Sequence, residues 1–205
     1  MKILVLANDI AWNEMISGST NIEWIRAENI DSFTNREGID AYFNLSENIT
    51  EPGYSLFNKP VFINSVTATL RKITAAENVT RVNGWNGFLK RNSWEVAGQP
   101  TDECLAVLKA MNKNVIIVPD EPGFIAARII SMIINEAYFA KGENVSTEKE
   151  IDIAMKLGTN YPYGPFEWAG IIGIKKIYSL LMTLSETDTR YKPSPLLEQE
   201  AMKTQ

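Results

Sequence analysis

The stretch that decides the fold is Asp120 to Ala140, "DEPGFIAARIISMIINEAYFA", because the texture of the chain changes there. Behind it lie short apolar runs with brief connections. Ahead of it lie helical patterns. The run from Phe124 is apolar nearly all round, so the helix it forms is buried on more than one side, against a second subunit or against its own sheet. Pro122 suits the first position of that helix, which is expected to run to about Lys141 and stop at Gly142.

Upstream, Ile3 to Ala7 is an apolar run without polar alternation, the pattern of a buried parallel strand. Ile22–Ala27, Ala41–Leu45, Pro60–Asn64, Arg81–Phe88, Trp94–Gly98 and "NVIIVPD" (Asn114–Asp120) read as further strands, with helices expected at Thr67–Glu77 and Thr101–Asn112. Strands interleaved with helices imply a mostly parallel α/β sheet. Downstream, Thr147 and Glu150 form a capping box that opens a helix ending at Gly158, and a tight "YPYGP" connection leads to an amphipathic helix over Ile174–Leu184. The expected organisation is an α/β domain over residues 1–119 followed by an all-α domain over 120–205.

Composition narrows the chemistry. The chain has 205 residues, 45% of them hydrophobic and 22% charged, as in an ordinary globular protein. A net charge of −5 offers no basic footprint for nucleic acid or an anionic membrane surface. "MKILVLANDIAW" is too short an apolar run to span a bilayer and lacks a small-residue cleavage site, so it reads as a first strand rather than a signal peptide. The single cysteine, Cys104, sits in a helical pattern as core filler and excludes an internal disulfide, which fits a cytoplasmic protein. There is no histidine at all. The usual general base and the commonest metal ligand are therefore missing, no metal site is expected, and proton chemistry falls to carboxylates, Lys or Tyr.

From Asp120 to Ile177 the chain resembles the C-terminal domain of the 3-hydroxyacyl-CoA dehydrogenase family. The resemblance rests on Asp120, Pro122, Gly123, Phe124 and Arg128, on Asn135-Glu136-Ala137, on Ile151-Asp152 and Ala154-Met155, and on Gly158, Pro162 and Gly164 to Glu167. It implies dimerisation through the C-terminal helices and one wall of an acyl-CoA site. Read as packing residues, the same glycines serve turns and caps, and the prolines fix a loop.

The resemblance also implies a Rossmann-like N-terminal domain that holds NAD, with three glycines after the first strand to admit the pyrophosphate. Ala7, Asp9 and Trp12 stand there instead. Asp9 opposes an anionic pyrophosphate, and Trp12 is expected to prevent close helix–strand packing. Glu28 lies where the acid that binds the ribose is expected. Connections are short and the family's long helical excursion between Leu45 and Pro60 is missing, so the domain reads as a reduced Rossmann-like sheet and no cofactor is assigned to it.

In that family a histidine takes the proton from the 3-hydroxyl as hydride leaves for NAD, and a glutamate orients the histidine. The matching segments here are "INSV", "GWNGF" and "SWEVA". They place Asn86 at the histidine, Glu95 at the glutamate and Ser65 near a substrate-contacting serine, while Ala127 replaces an asparagine. An amide accepts no proton near neutral pH, so Asn86 cannot act as the base. The expectation is a diverged, catalytically impaired, homodimeric acyl-CoA-binding or regulatory relative. The alternatives are an active NAD-dependent 3-hydroxyacyl-CoA dehydrogenase using Glu95 or a tyrosine, and a structural partner with no ligand.

Overall fold

A computed structural model describes residues 1–17, 21–34, 37–46, 53–73 and 76–203. The chain divides into two compact units, Met1–Phe124 and Ile125–Gln205.

The first unit is built on a seven-stranded sheet in the order β2-β1-β3-β4-β5-β6-β7. The strands are β1 (Lys2–Leu6), β2 (Glu23–Ala27), β3 (Ala41–Asn44), β4 (Val61–Asn64), β5 (Val79–Val82), β6 (Ser93–Ala97) and β7 (Asn114–Val118). Neighbours from β2 through β5 pair in parallel, β5 and β6 pair antiparallel, and β6 and β7 run parallel. The strands alternate their side chains between two apolar layers, which is why their sequences carry no polar alternation. Ile3, Val5, Phe43, Phe62, Val82 and Val96 face one layer, with α1 (Asp9–Ile16) and α4 (Asp102–Ala110). Leu4, Tyr42, Val61, Ile63 and Val79 face the other, where α2 (Ile30–Thr34) and α3 (Leu70–Ile73) pack. Cys104 is buried in the first layer beside Val107 and Leu108.

Three expectations for this unit need correction. The strand expected over Arg81–Phe88 ends at Val82, because Gly84 and Gly87 turn the chain and Gly87 takes a φ of 89°. The helix expected over Thr67–Glu77 shrinks to Leu70–Ile73. Trp12 does not prevent helix–strand packing: it sits on the core side of α1, partly buried with Ala7, Ile22 and Trp24. The connection from Leu45 to Pro60 falls partly outside the described residues, and its described part holds one 3-10 turn, Tyr54–Leu56.

The second unit is helical: α5 (Ala126–Gly142), α6 (Glu148–Thr159), α7 (Pro165–Ile172), α8 (Ile174–Ser185) and α9 (Pro195–Lys203). Pro122 does not open α5, since Gly123 (φ 92°) and Phe124 (φ 49°) are left-handed and delay the helix to Ala126. The Thr147–Glu150 capping box forms at the start of α6.

Candidate functional site

In an open parallel sheet the ligand crevice opens at the carboxyl ends of the strands, where the strand order reverses. Here that point lies between β1 and β3. The turn after β1 is closed by its own side chains. Asn8 Oδ1 accepts from the Ala11 N–H at 2.8 Å and caps α1. Asp9 follows in the first helical turn, and Arg26 Nη2 donates both to Asp9 Oδ1 at 2.7 Å and to the Ala7 carbonyl at 3.0 Å. The Arg26 guanidinium also stands 5.7 Å from the Trp12 ring centre. A dinucleotide pyrophosphate needs free N–H groups and a side-chain-free approach at this helix terminus. A side-chain cap, a carboxylate and its ion-pair partner do not fit that need. Glu28 lies just past β2, exposed, with its backbone N–H on Ser32 Oγ at 3.0 Å.

The loop from Asn83 to Asn92, between β5 and β6, carries Asn86, which is 9% exposed. Trp85, Phe88 and Leu89 are buried around it. Glu14 on α1 holds this loop by accepting the Gly87 N–H at 2.7 Å. Lys113 holds its far side, donating to the Leu89 and Arg91 carbonyls at 3.0 and 2.8 Å with its ammonium 4.8 Å from the Trp94 ring centre. Burial lowers the Lys113 pKa, against the charge of Glu14. Burial likewise lowers that of Arg91, against the charges of Glu95 and Glu14. Glu95, on β6 beside Ile116 of β7, thus adds its charge to the field at Arg91.

Ser65 follows β4. Its hydroxyl donates to the Ala68 carbonyl at 2.8 Å and its own carbonyl accepts from Arg81 Nε at 2.8 Å. Arg81 is wholly buried, pairs with Asp120 through Nη1, and reaches the Val66 and Glu121 carbonyls through Nη2. Its guanidinium carbon lies 4.8 Å from the Phe124 ring centre. Asp120 also accepts the Leu70 N–H through both carboxylate oxygens, at 3.0 and 2.9 Å. Burial pulls the Arg81 pKa down while Asp120 pushes it back. This hub fixes Ser65 and the chain leaving β7, so Ser65 serves a turn. Asn64 Oδ1 accepts the Gly84 N–H at 3.1 Å, and a Cβ on Gly84 would lie 2.8 Å from Asn64 Cβ, which explains the glycine.

Ser65, Arg81 and Asn64 are thus tied directly to one another or to Gly84 at the carboxyl ends of β4 and β5. Asn86 and Glu95 belong to the loop and strand that follow, while Glu28, Asp9 and Trp12 sit at the other end of the sheet order. The sequence reading missed Glu14, Arg26 and the Arg81–Asp120 pair. Its one available signal was Asp120, already part of the matched motif.

In the helical unit, Ala127 is fully buried in α5. Asn135 bridges α5 to the chain before α9: its Nδ2 donates to the Lys192 carbonyl at 3.0 Å and its Oδ1 accepts the Ser194 N–H at 2.7 Å. Tyr138 donates to Glu200 Oε2 at 2.9 Å, and burial with that bond raises its pKa well above the ordinary phenol value. Lys141 joins Glu200 and Glu148, whose hydrogen bonds raise its pKa. Asp152 caps α7, accepting the Phe166 N–H at 2.8 Å and the Glu167 N–H at 3.2 Å. Most motif residues seen here are therefore packing and capping residues. Among the described residues no cluster of three or more potential metal ligands occurs, and no helix is long and apolar enough to cross a membrane.

Residues 123–204 match the family model described as 3-hydroxyacyl-CoA dehydrogenase, C-terminal domain. A 3-hydroxyadipyl-CoA dehydrogenase of Escherichia coli (strain K12) is 40% identical over 104 residues, covering 50% of this chain and 22% of that protein. A 3-hydroxybutyryl-CoA dehydrogenase of Bradyrhizobium diazoefficiens is 42% identical over 89 residues, covering 42% of this chain and 30% of that protein. The matches thus span less than a third of these two curated relatives. Among solved structures, an (S)-3-hydroxybutyryl-CoA dehydrogenase from Ralstonia eutropha superposes with a TM-score of 0.68 over 89% of this chain and 70% of that one, at 24% identity. That likeness extends the shared fold beyond the helical unit.

Proposed function

We propose that this chain, whose residues 123–204 match the C-terminal domain of the 3-hydroxyacyl-CoA dehydrogenase family, is a catalytically impaired relative acting as a dimeric acyl-CoA-binding or regulatory protein. One observation carries the reading: Asp9 and Arg26 form an exposed ion pair at the α1 terminus, where the family's cofactor would need an approach free of carboxylates. Asn86 in the histidine position supports it, since an amide takes no proton from a hydroxyl. Ala127 removes a further hydrogen-bond partner for a substrate oxygen.

Dimerisation through the C-terminal helices is part of the proposal. Ile125 and Ile129 near the start of α5, and Ile153 and Leu157 on α6, form exposed apolar pairs at 50%, 50%, 43% and 83%. A cytoplasmic setting accords with the single buried cysteine.

The test is NADH oxidation with acetoacetyl-CoA at high protein concentration, with Glu95→Gln alongside. No turnover above buffer is expected. Turnover that disappears in Glu95→Gln would show chemistry rebuilt without histidine and would overturn the proposal. Sedimentation should give a dimer, and Leu157→Asp should shift it toward monomer.

A further inference from the structure

The sheet of the first unit ends in two unlike edges, β2 and β7. A strand at an edge presents unpaired N–H and C=O groups, and charged side chains on it deter another strand from joining. The β2 edge is guarded in this way: Glu23 pairs with Lys2 at 3.6 Å and Arg26 with Asp9 at 2.7 Å. The β7 edge, "NVIIV", carries neither a charge nor a proline. Its adjacent residues Ile116 and Ile117, which point to opposite faces of the sheet, are 44% and 58% exposed.

The backbone of β7 limits what fits beside it. The Asn114 N–H donates to the Asn92 carbonyl at 2.8 Å, so Asn114, Ile116 and Val118 turn their backbone groups toward β6. Val115 and Ile117 turn theirs outward, and among the described residues no strand lies beyond them. The open stretch is short. Before it, the Lys113 N–H is held by the Leu108 carbonyl at 3.0 Å. After it, Pro119 has no N–H and its carbonyl accepts the Glu121 N–H at 2.8 Å.

We infer that β7 is a self-association surface, pairing antiparallel with β7 of a second copy about a two-fold axis at Ile116. In that register Val115 of each copy faces Ile117 of the other and the two exchange both backbone bonds, so their outward groups are all satisfied. The two Ile116 side chains meet on one face, and Ile117 meets Val115 of the other copy on the opposite face. Charge favours this direction. Lys113 at the start of each strand is set toward the exposed Glu121 beyond the end of the other, whereas parallel pairing sets like against like. A two-fold contact closes on itself, so the sheet grows no further through it. The strand has 5 residues, against roughly 20–30 a side in a standard interface, so the pairing is weak and concentration-dependent. It is separate from the helical interface proposed above and needs no ligand.

The test introduces a cysteine into the full chain, whose own Cys104 is buried, and follows disulfide-linked dimers on non-reducing gels after diamide treatment. Directly opposed residues of a non-hydrogen-bonded antiparallel pair have Cα atoms about 4.5 Å apart, within reach of a disulfide. The two Ile117 positions are diagonal neighbours, about 7–8 Å apart and beyond that reach. Ile116→Cys is therefore expected to cross-link about tenfold faster than Ile117→Cys, although Ile117 is the more exposed. Adding Ile117→Lys to Ile116→Cys puts a charge on the edge and should slow cross-linking about tenfold. Equal rates in the two single variants, or a faster Ile117→Cys, overturn the inference, because random collision follows exposure. So does cross-linking of Ile116→Cys that Ile117→Lys leaves unchanged. An Ile116→Cys protein that forms no disulfide dimer overturns it as well, and leaves the edge to an extended segment of a different protein.

Discussion

Replacing Gly164 by Ala is expected to destabilise the helical unit far more than a surface Gly→Ala change. Gly164 is the N-cap of α7 with φ −74° and ψ 168°, a backbone that any residue adopts. Its requirement is therefore steric. A Cβ there would overlap the side chain of Asp152, at both the carboxyl carbon and Oδ1. Asp152 is 8% exposed and cannot swing aside without releasing the Phe166 and Glu167 N–H groups that it caps at 2.8 and 3.2 Å. Hydrogen bonds to a charged acceptor contribute about 1.5–3 kcal/mol each. Partial relaxation, and the roughly 0.5–1 kcal/mol returned by a stiffer unfolded chain, leave a net loss of about 3 kcal/mol. At roughly 2–4 °C per kcal/mol for a chain of this size, the melting temperature should fall by about 6–12 °C. Thermal unfolding followed by circular dichroism reads this directly. Because the overlap includes the Asp152 Cβ, Gly164→Ala combined with Asp152→Gly, which removes both the cap and the clashing atoms, should cost no more than Asp152→Gly alone. A loss under about 1 kcal/mol for Gly164→Ala, or full additivity in the double variant, would refute the steric argument.

Two further outcomes follow from the same structure. Arg81→Met should lower the stability of the sheet unit by about 3–5 kcal/mol, since it strands the Asp120 carboxylate that Arg81 pairs with, and a urea midpoint close to the parent's would contradict it. Burial pulls the Glu200 pKa up, but the hydrogen bonds from Lys141 and Tyr138 outweigh it and hold it below the ordinary value. Its stabilising contribution is therefore present above the unfolded carboxylate pKa and is lost as pH falls through the lower folded value. Denaturant midpoints between about pH 5 and pH 3 should fall less steeply in Glu200→Gln than in the parent, and parallel profiles would count against the role of this carboxylate.

Much of the architecture was legible in local pattern. Uninterrupted runs such as "KILVL" announce strands buried on both faces, and the Thr147–Glu150 box announces α6. What escaped local reading depends on conformation or on distance along the chain. The left-handed Gly87, Gly123 and Phe124 cut short the strand expected through Phe88 and displaced the start of α5. The antiparallel direction of β6 is fixed by the buried loop that Glu14 and Lys113 hold, and no periodicity encodes that. In the candidate site, the substitutions Asn86 and Ala127 were readable letter by letter. The Asp9–Arg26 bond spans 17 residues and the Arg81–Asp120 bond 39, so neither was visible before the strands were in register.

The positions matched to the family therefore separate by physical role. Asp120, Asn135, Asp152 and Gly164 each hold a turn, a crossing or a helix cap whose loss would cost stability whatever the protein does. The letters that differ, at Ala7, Asp9, Asn86 and Ala127, fall where the resemblance implies contact with cofactor or substrate, and the fold accommodates them at no evident structural cost. Asp9 gains Arg26, and Ala127 is packed without a polar atom to satisfy.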